Sequence, residues 1–153
     1  MKKQIVSIIT VLGLAAAFVT PALSEDLDSL AGKWTAEKSS EGGKGYKQQI
    51  EIKKNKFTLK ITDSDNDVRL YAEGEVKLDK AGPFKTMVFS NIKAGQSSSD
   101  TTEIDDTYTS IYRVRDDDGA LLLVTNFDKD RDSQKPSLDI YHKEKPAEKR
   151  AEK

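Results

Sequence analysis

The sequence predicts an all-β protein, an eight-stranded antiparallel up-and-down barrel that follows a cleaved signal peptide. The clearest observation is the segment from Val68 to Asp79, where apolar and polar residues alternate over twelve positions. Such alternation is typical of a strand with one buried and one solvated face. Seven further short strand candidates, of which Leu121–Phe127 is apolar on both faces, make eight strands within roughly 110 residues, mostly separated by hairpin-length turns. Because an open sheet of that size leaves two unpaired edges, we expect closure into a barrel, with a two-layer sandwich as the alternative.

The individual strands follow from their alternation and from the turns between them. In the longest segment, Leu70 and Ala72 belong to the predicted core face and Tyr71 to the solvated face. Residues 93–106 are mostly Ser, Thr, Asp and Gly, which predicts a long solvated loop. The predicted strands are Lys33–Lys38, Lys47–Lys53, Lys56–Thr62, Val68–Asp79, Phe84–Asn91, Tyr108–Arg115, Leu121–Phe127 and Ser137–Tyr141.

The first 24 residues have the pattern of a secretory signal peptide. Lys2 and Lys3 precede an apolar run from Ile5 to Val19, and Ala22-Leu23-Ser24 supplies small residues for cleavage. Fifteen residues of helix span roughly 22 Å, too short for a hydrocarbon core of about 30 Å. We therefore expect a periplasmic or secreted protein without an integral membrane segment in its mature chain. The predicted parts are a signal peptide (1–24), a barrel domain (25–143) and a disordered charged tail (144–153).

Composition excludes several functional classes. The chain has 25 Lys and Arg against 26 Asp and Glu, a formal net charge of -1, which argues against general nucleic-acid binding. It has no Cys, which excludes disulfides, thiol nucleophiles and Cys-ligated metal sites. Its single His, His142, borders the predicted tail and is poorly placed to act as a rigid general base. We therefore predict no catalytic residues and no enzyme activity.

Two acidic segments have the alternating oxygen ligands of a calcium loop. They are Asp63–Asp67 and Asp128–Asp132. The first has Val68 where such loops need Gly and Gly74 where they need a bidentate Glu. Because Asp and Asn are also common in turns, we interpret both segments as turns and predict no metal and no cofactor.

Several motifs resemble a family of small exported bacterial lipocalin-like proteins. The start Leu30-Ala31-Gly32-Lys33-Trp34 is similar to their L-x-G-x-W signature, although a Ser, Ser110, replaces the glycine usual before their late tyrosine. The resemblance implies a lipocalin-like barrel outside the cytoplasm, with Trp34 closing one end. The motifs that carry the resemblance are Leu30–Trp34, Ile50–Phe57, Gly74–Pro83, Ser110–Val114 and Pro136–Tyr141.

We therefore expect a binding module for a small apolar or amphipathic ligand held inside the barrel. Inward polar groups of such a barrel either line a ligand cavity or bond to one another. The alternative is an interaction protein or a protease inhibitor of the cell envelope, acting through Glu25–Ser29. Its partner would then be an exported protein. The candidate ligand-lining residues are Trp34, Gln48, Leu70, Ala72, Tyr108 and Tyr112.

Overall fold

The computed structural model describes residues 27–39, 45–130 and 132–145. The described residues form nine strands. Their bounds are β1 Gly32–Ser39, β2 Gly45–Lys53, β3 Lys56–Asp63, β4 Val68–Ala81, β5 Phe84–Ser97, β6 Asp100–Ile104, β7 Tyr108–Val114, β8 Leu121–Thr125 and β9 Ser137–Lys143. The predicted signal peptide lies outside the described residues, as do residues 146–153 of the predicted tail.

Eight of these strands close into an antiparallel barrel. The ring runs β1-β2-β3-β4-β5-β7-β8-β9 and returns to β1, so the predicted barrel is confirmed. The pairing of β9 with β1 joins Trp34 to Lys143 and Thr35 to His142. Glu144, which the sequence assigned to the tail, continues past β9, and its amide donates to the Lys33 carbonyl at 2.8 Å.

The ninth strand corrects the prediction of a solvated loop over residues 93–106. Instead, β5 continues to Ser97, and β6 pairs with its second half from Ile92 to Ser97. The alternation of β5 is interrupted at Asn91, a bulge residue with φ 52° where the register with β4 shifts. An extra residue moves every following side chain to the opposite face, so the inward positions change from Met87 and Phe89 to Ile92.

One end of the barrel is covered by the chain that enters it. The Leu30 amide donates to the Leu27 carbonyl at 3.1 Å, which closes a short turn. Leu30 is buried, and Leu27 packs against the same core. We call this the closed end and the opposite end the open end. No helix in the described part of the chain is long and apolar enough to cross a membrane.

Candidate functional site

The half of the barrel next to the closed end is filled by large side chains. Its most deeply buried members are Leu30, Ile52, Val76, Met87 and Leu121. Phe57 and Phe89 meet edge to face, with ring centroids 4.9 Å apart. Both rings belong to this core and also border a cavity. They therefore form the floor that separates the filled half from that cavity.

The cavity lies between the phenylalanine floor and the open end and has a volume of about 320 Å³. Its wall consists mainly of aliphatic and aromatic side chains, and none of the described residues that line it is charged. Tyr108, Ser110 and Thr125 supply its hydroxyl groups. The lining residues are Ile50, Phe57, Leu59, Leu70, Ala72, Phe89, Ile92, Ala94, Ile104, Tyr108, Ser110 and Thr125.

A polar cluster adjoins one side of this cavity. Thr125 of the wall pairs across the sheet with Ser137. The Ser137 hydroxyl lies 3.5 Å from the ammonium of Lys38, which forms an ion pair with the buried carboxylate of Asp139. Because the two charges neutralise each other, the cluster presents hydrogen-bonding groups without a net charge beside the apolar wall.

Tyr141 extends the polar side of the barrel interior. Its hydroxyl donates to the Gln48 side-chain carbonyl at 2.7 Å. Burial, followed by the charge of Asp139 and the nearby Tyr46, raises the pKa of Tyr141 well above its ordinary value. The phenol therefore stays neutral at physiological pH.

Tyr108 stands at the rim of the cavity and remains 40% exposed. The Lys129 ammonium lies 5.4 Å from the centroid of its ring, a cation–π contact, and 3.9 Å from a carboxylate oxygen of Asp106. These contacts bring the loop after β8 against the segment before β7. The rim therefore has an amphipathic ring with a cation above it.

The structure divides the six candidate ligand-lining residues into two groups. Leu70, Ala72 and Tyr108 line the cavity. Trp34 and Tyr112 instead belong to the packed core, and the side-chain carbonyl of Gln48 accepts a hydrogen bond from the Tyr141 hydroxyl.

Other residues that line the cavity were not among the six candidates. Ile50, Phe57 and Leu59 could have been included, because they lie at inward positions that the alternation of their strands predicts. Ile92 and Ile104 could not have been predicted, because they follow the Asn91 bulge in a segment whose composition predicts a loop.

The two acidic segments form turns where the structure describes them. The Asp63 carboxylate accepts hydrogen bonds from the amides of Asp65 and Asp67, each at 3.0 Å, and from Arg69 at 2.6 Å. Its oxygens therefore hold a turn together. Among the described residues, no group of three or more His, Asp and Glu side chains could hold a metal ion.

Comparisons with protein-family models, with curated proteins and with solved structures find no match to this chain. The barrel and its cavity are therefore the features of this chain that point to a function.

Proposed function

We propose that the protein is an exported, lipocalin-like binding module that holds a small apolar or amphipathic ligand in the open half of its barrel. The observation that carries the proposal is the cavity of about 320 Å³ with a wall that is almost entirely apolar. Ligand pockets of proteins usually measure about 300–1,000 Å³, and an apolar cavity of about 150 Å³ already binds benzene. The size therefore suits a compact molecule of about two rings or a short alkyl chain.

The placement of the hydroxyl groups supports an amphipathic ligand. The apolar end of such a molecule would lie against Phe57 and Phe89, where burial of apolar area contributes about 25 cal/mol per Å². An uncharged polar end would lie near Tyr108 and Thr125, which line the cavity at the rim and from β8. None of the described residues that line the cavity is charged, so a charged end would lie at the rim, near Lys129, and not against the wall.

The alternative role, an inhibitor acting through a free Glu25–Ser29 segment, has less support. Leu27 packs against the core, and the Ser29 carbonyl accepts a hydrogen bond from the Lys143 ammonium at 3.4 Å. Part of the segment that would have to enter a partner therefore belongs to the closed end of the barrel.

Titration with 6-propionyl-2-(dimethylamino)naphthalene, an uncharged two-ring fluorescent probe, tests the binding proposal. We expect saturable binding at one site. Ala72→Phe fills the cavity and should weaken binding at least tenfold, because the new ring occupies the probe's volume. Leu70→Ala enlarges the same cavity and should raise the affinity for a three-ring probe relative to the two-ring one.

Lys60→Ala is the matched control, since Lys60 is exposed and lies on the strand that contributes Leu59 to the cavity. Its probe affinity should equal that of the unchanged protein. Absence of saturable binding in the unchanged protein, or equal affinities in Ala72→Phe and Lys60→Ala, would overturn the proposal.

A further inference from the structure

The wall of the barrel is interrupted on one side of the cavity. The ladder between β7 and β8 extends from the closed end only as far as the pair of Ile111 with Val124. Beyond that pair, toward the open end, neither the start of β7 nor β6 pairs with β8 or with the described part of the loop after it. We call this interruption the side gap. It lies between residues Asp100–Ser110 on one side and Thr125–Asp130 on the other.

The side gap borders the ligand cavity on both sides. Ile104, Tyr108 and Ser110 line the cavity from one side of the gap, and Thr125 lines it from the other. Of the described residues that line the cavity, Tyr108 alone is exposed, whereas the others are buried or half-buried. The cavity is therefore most accessible to solvent beside Tyr108, at the side gap.

Lys129 spans the side gap. It belongs to the loop after β8, and its ammonium contacts two groups on the opposite side of the gap. These are the ring of Tyr108, whose centroid is 5.4 Å away, and a carboxylate oxygen of Asp106 at 3.9 Å. Because such contacts between exposed groups are weak, the two sides of the gap are joined less firmly than strands that share a backbone ladder.

We propose that the side gap is the entrance of the ligand cavity and that Lys129 controls passage through it, an inference that rests on the proposed binding function. Opening the gap separates Lys129 from Tyr108 and Asp106 but breaks no backbone ladder among the described strands. Opening the wall between paired strands such as β3 and β4 would break a row of interstrand hydrogen bonds. The side gap is therefore the easiest lateral route for a ligand.

A second unpaired stretch of the wall, between β1 and β9, is a poorer route. These strands pair at Trp34 and Thr35, and nearer the open end they are connected by the ion pair of Lys38 with Asp139. Asp139 is buried, and separating a buried ion pair costs more than separating an exposed one. Neither Lys38 nor Asp139 lines the cavity, so an opening there would not lead directly to the ligand.

The absence of cysteine from the sequence allows access to the cavity to be measured without a ligand. Ala72→Cys places a single thiol at the cavity wall, and Val76→Cys places one in the filled half of the barrel. N-ethylmaleimide, a small uncharged reagent, should reach the first thiol through the side gap and the second only when the protein unfolds. Intact-mass measurement over time gives both rates of modification.

Lys129→Met removes the ammonium and should speed modification of the Ala72→Cys thiol about threefold to tenfold, as expected for the loss of two weak surface contacts. The rate at Val76→Cys should stay the same. Lys135→Met is the matched control, since Lys135 is exposed in the same loop, and it should change neither rate. An unchanged rate at Ala72→Cys would place the entrance elsewhere at the open end, and an equal rise at Val76→Cys would assign the acceleration to unfolding. Either result would overturn the proposal.

Stopped-flow mixing with 6-propionyl-2-(dimethylamino)naphthalene connects the entrance to binding. Because an entrance changes the barrier and not the bound state, Lys129→Met should raise the association and dissociation rate constants by the same factor and keep Kd within about twofold. Weaker binding without faster exchange would make Lys129 part of the binding wall and contradict the proposal. If the unchanged protein binds no probe but Lys129→Met still speeds modification of the Ala72→Cys thiol, the binding function fails and the entrance is supported.

Discussion

Trp34 connects the closed end of the barrel to the two chain segments that meet there. Its indole Nε1 donates to the Leu30 carbonyl at 2.8 Å, and the Lys143 ammonium lies 5.2 Å from the centroid of its ring. The ring itself is buried in the core. The Trp34 side chain therefore connects the first strand, to which it belongs, to the entering turn and to the last strand.

Replacement of Trp34 by Ala should destabilise the protein by about 3–5 kcal/mol, because it leaves a large cavity and removes a buried hydrogen bond. Urea unfolding measures the loss, with Lys60→Ala as an exposed control that should change stability by less than about 0.5 kcal/mol. Similar losses in the two variants would show that Trp34 is not a core residue.

Tyr71 would not serve as an exposed control for Trp34, although the alternation of its strand predicts that it lies on the solvated face. It points outward, yet it is only 7% exposed, and its hydroxyl donates to a Glu73 carboxylate oxygen at 2.7 Å. The hydrogen bond to Glu73, together with burial, raises the pKa of Tyr71. Period-two alternation identifies the direction of a side chain, but neighbouring outward side chains decide how much of it remains in water.

The buried phenol of Tyr141 should make the protein sensitive to alkaline pH. The raised pKa means that the fold favours the neutral form. Stability from this residue is therefore fully present below the ordinary pKa of about 10 and is lost as pH rises through the raised value. Tyr141→Phe removes this ionisation, so its urea midpoint should fall less between pH 8 and pH 11 than that of the unchanged protein. An equal fall in both proteins would assign the alkaline loss to other groups.

At the scale of the strands, the pairing of β4 with β5 shifts register at Gly74. A Cβ added at Gly74 would lie 2.7 Å from the Ser90 carbonyl oxygen and 2.9 Å from an edge carbon of Phe57. The bulge at Asn91 lies on the facing strand at the same level. The close approach of the two backbones therefore depends on the missing side chain.

Gly74→Ala should consequently cost about 1–3 kcal/mol through overpacking, measured as a lower urea midpoint. Gly45→Ala is the matched control. A Cβ there meets its nearest neighbour, the Lys38 carbonyl oxygen, at an ordinary 3.7 Å, so stability should be unchanged or slightly higher. Equal effects at the two glycines would contradict the proposed packing.

The strands that the sequence predicted well are those with unbroken alternation. The predicted Lys56–Thr62 and Val68–Asp79 lie within the observed β3 and β4, because apolar positions such as Leu59, Ala72 and Val76 face the barrel interior as their alternation predicts. The second half of β5 and all of β6 were missed because the Asn91 bulge reverses the inward parity and polar residues follow it. A quarter of the cavity wall was missed with them, since three of its twelve lining residues, Ile92, Ala94 and Ile104, belong to these segments.

At the scale of the molecule, the filled and open halves of the barrel separate stability from binding. Core residues such as Met87 and Leu121 fill the half next to the turn at Leu27–Leu30. The cavity lies at the opposite end, beyond the phenylalanine floor. Changes at the cavity wall should therefore alter binding more than they alter folding, which is what makes Ala72→Phe an informative variant.

The proposed export of the protein makes a prediction for the whole chain. Lys2, Lys3 and the apolar run Ile5–Val19 should direct translocation and removal of residues 1–24. Intact-mass measurement of protein recovered from the cell envelope or the medium should give a chain that begins at Glu25. Recovery of a full-length, membrane-bound chain would contradict this processing.

The pairing between the first and last strands, β1 and β9, determines where such a barrel opens first. β1 and β2 are matched over eight residue pairs, whereas β1 and β9 share two. Side chains carry much of the remaining connection, through Lys38 with Asp139 and through Glu144, whose carboxylate accepts from Thr35 at 2.6 Å and Gln49 at 2.7 Å. Hydrogen bonds from Thr35 and Gln49 lower the pKa of Glu144, so the support that they give is lost as pH falls. Hydrogen–deuterium exchange should therefore spread outward from this β1–β9 seam, and acid should open it before the long β4–β5 hairpin begins to exchange.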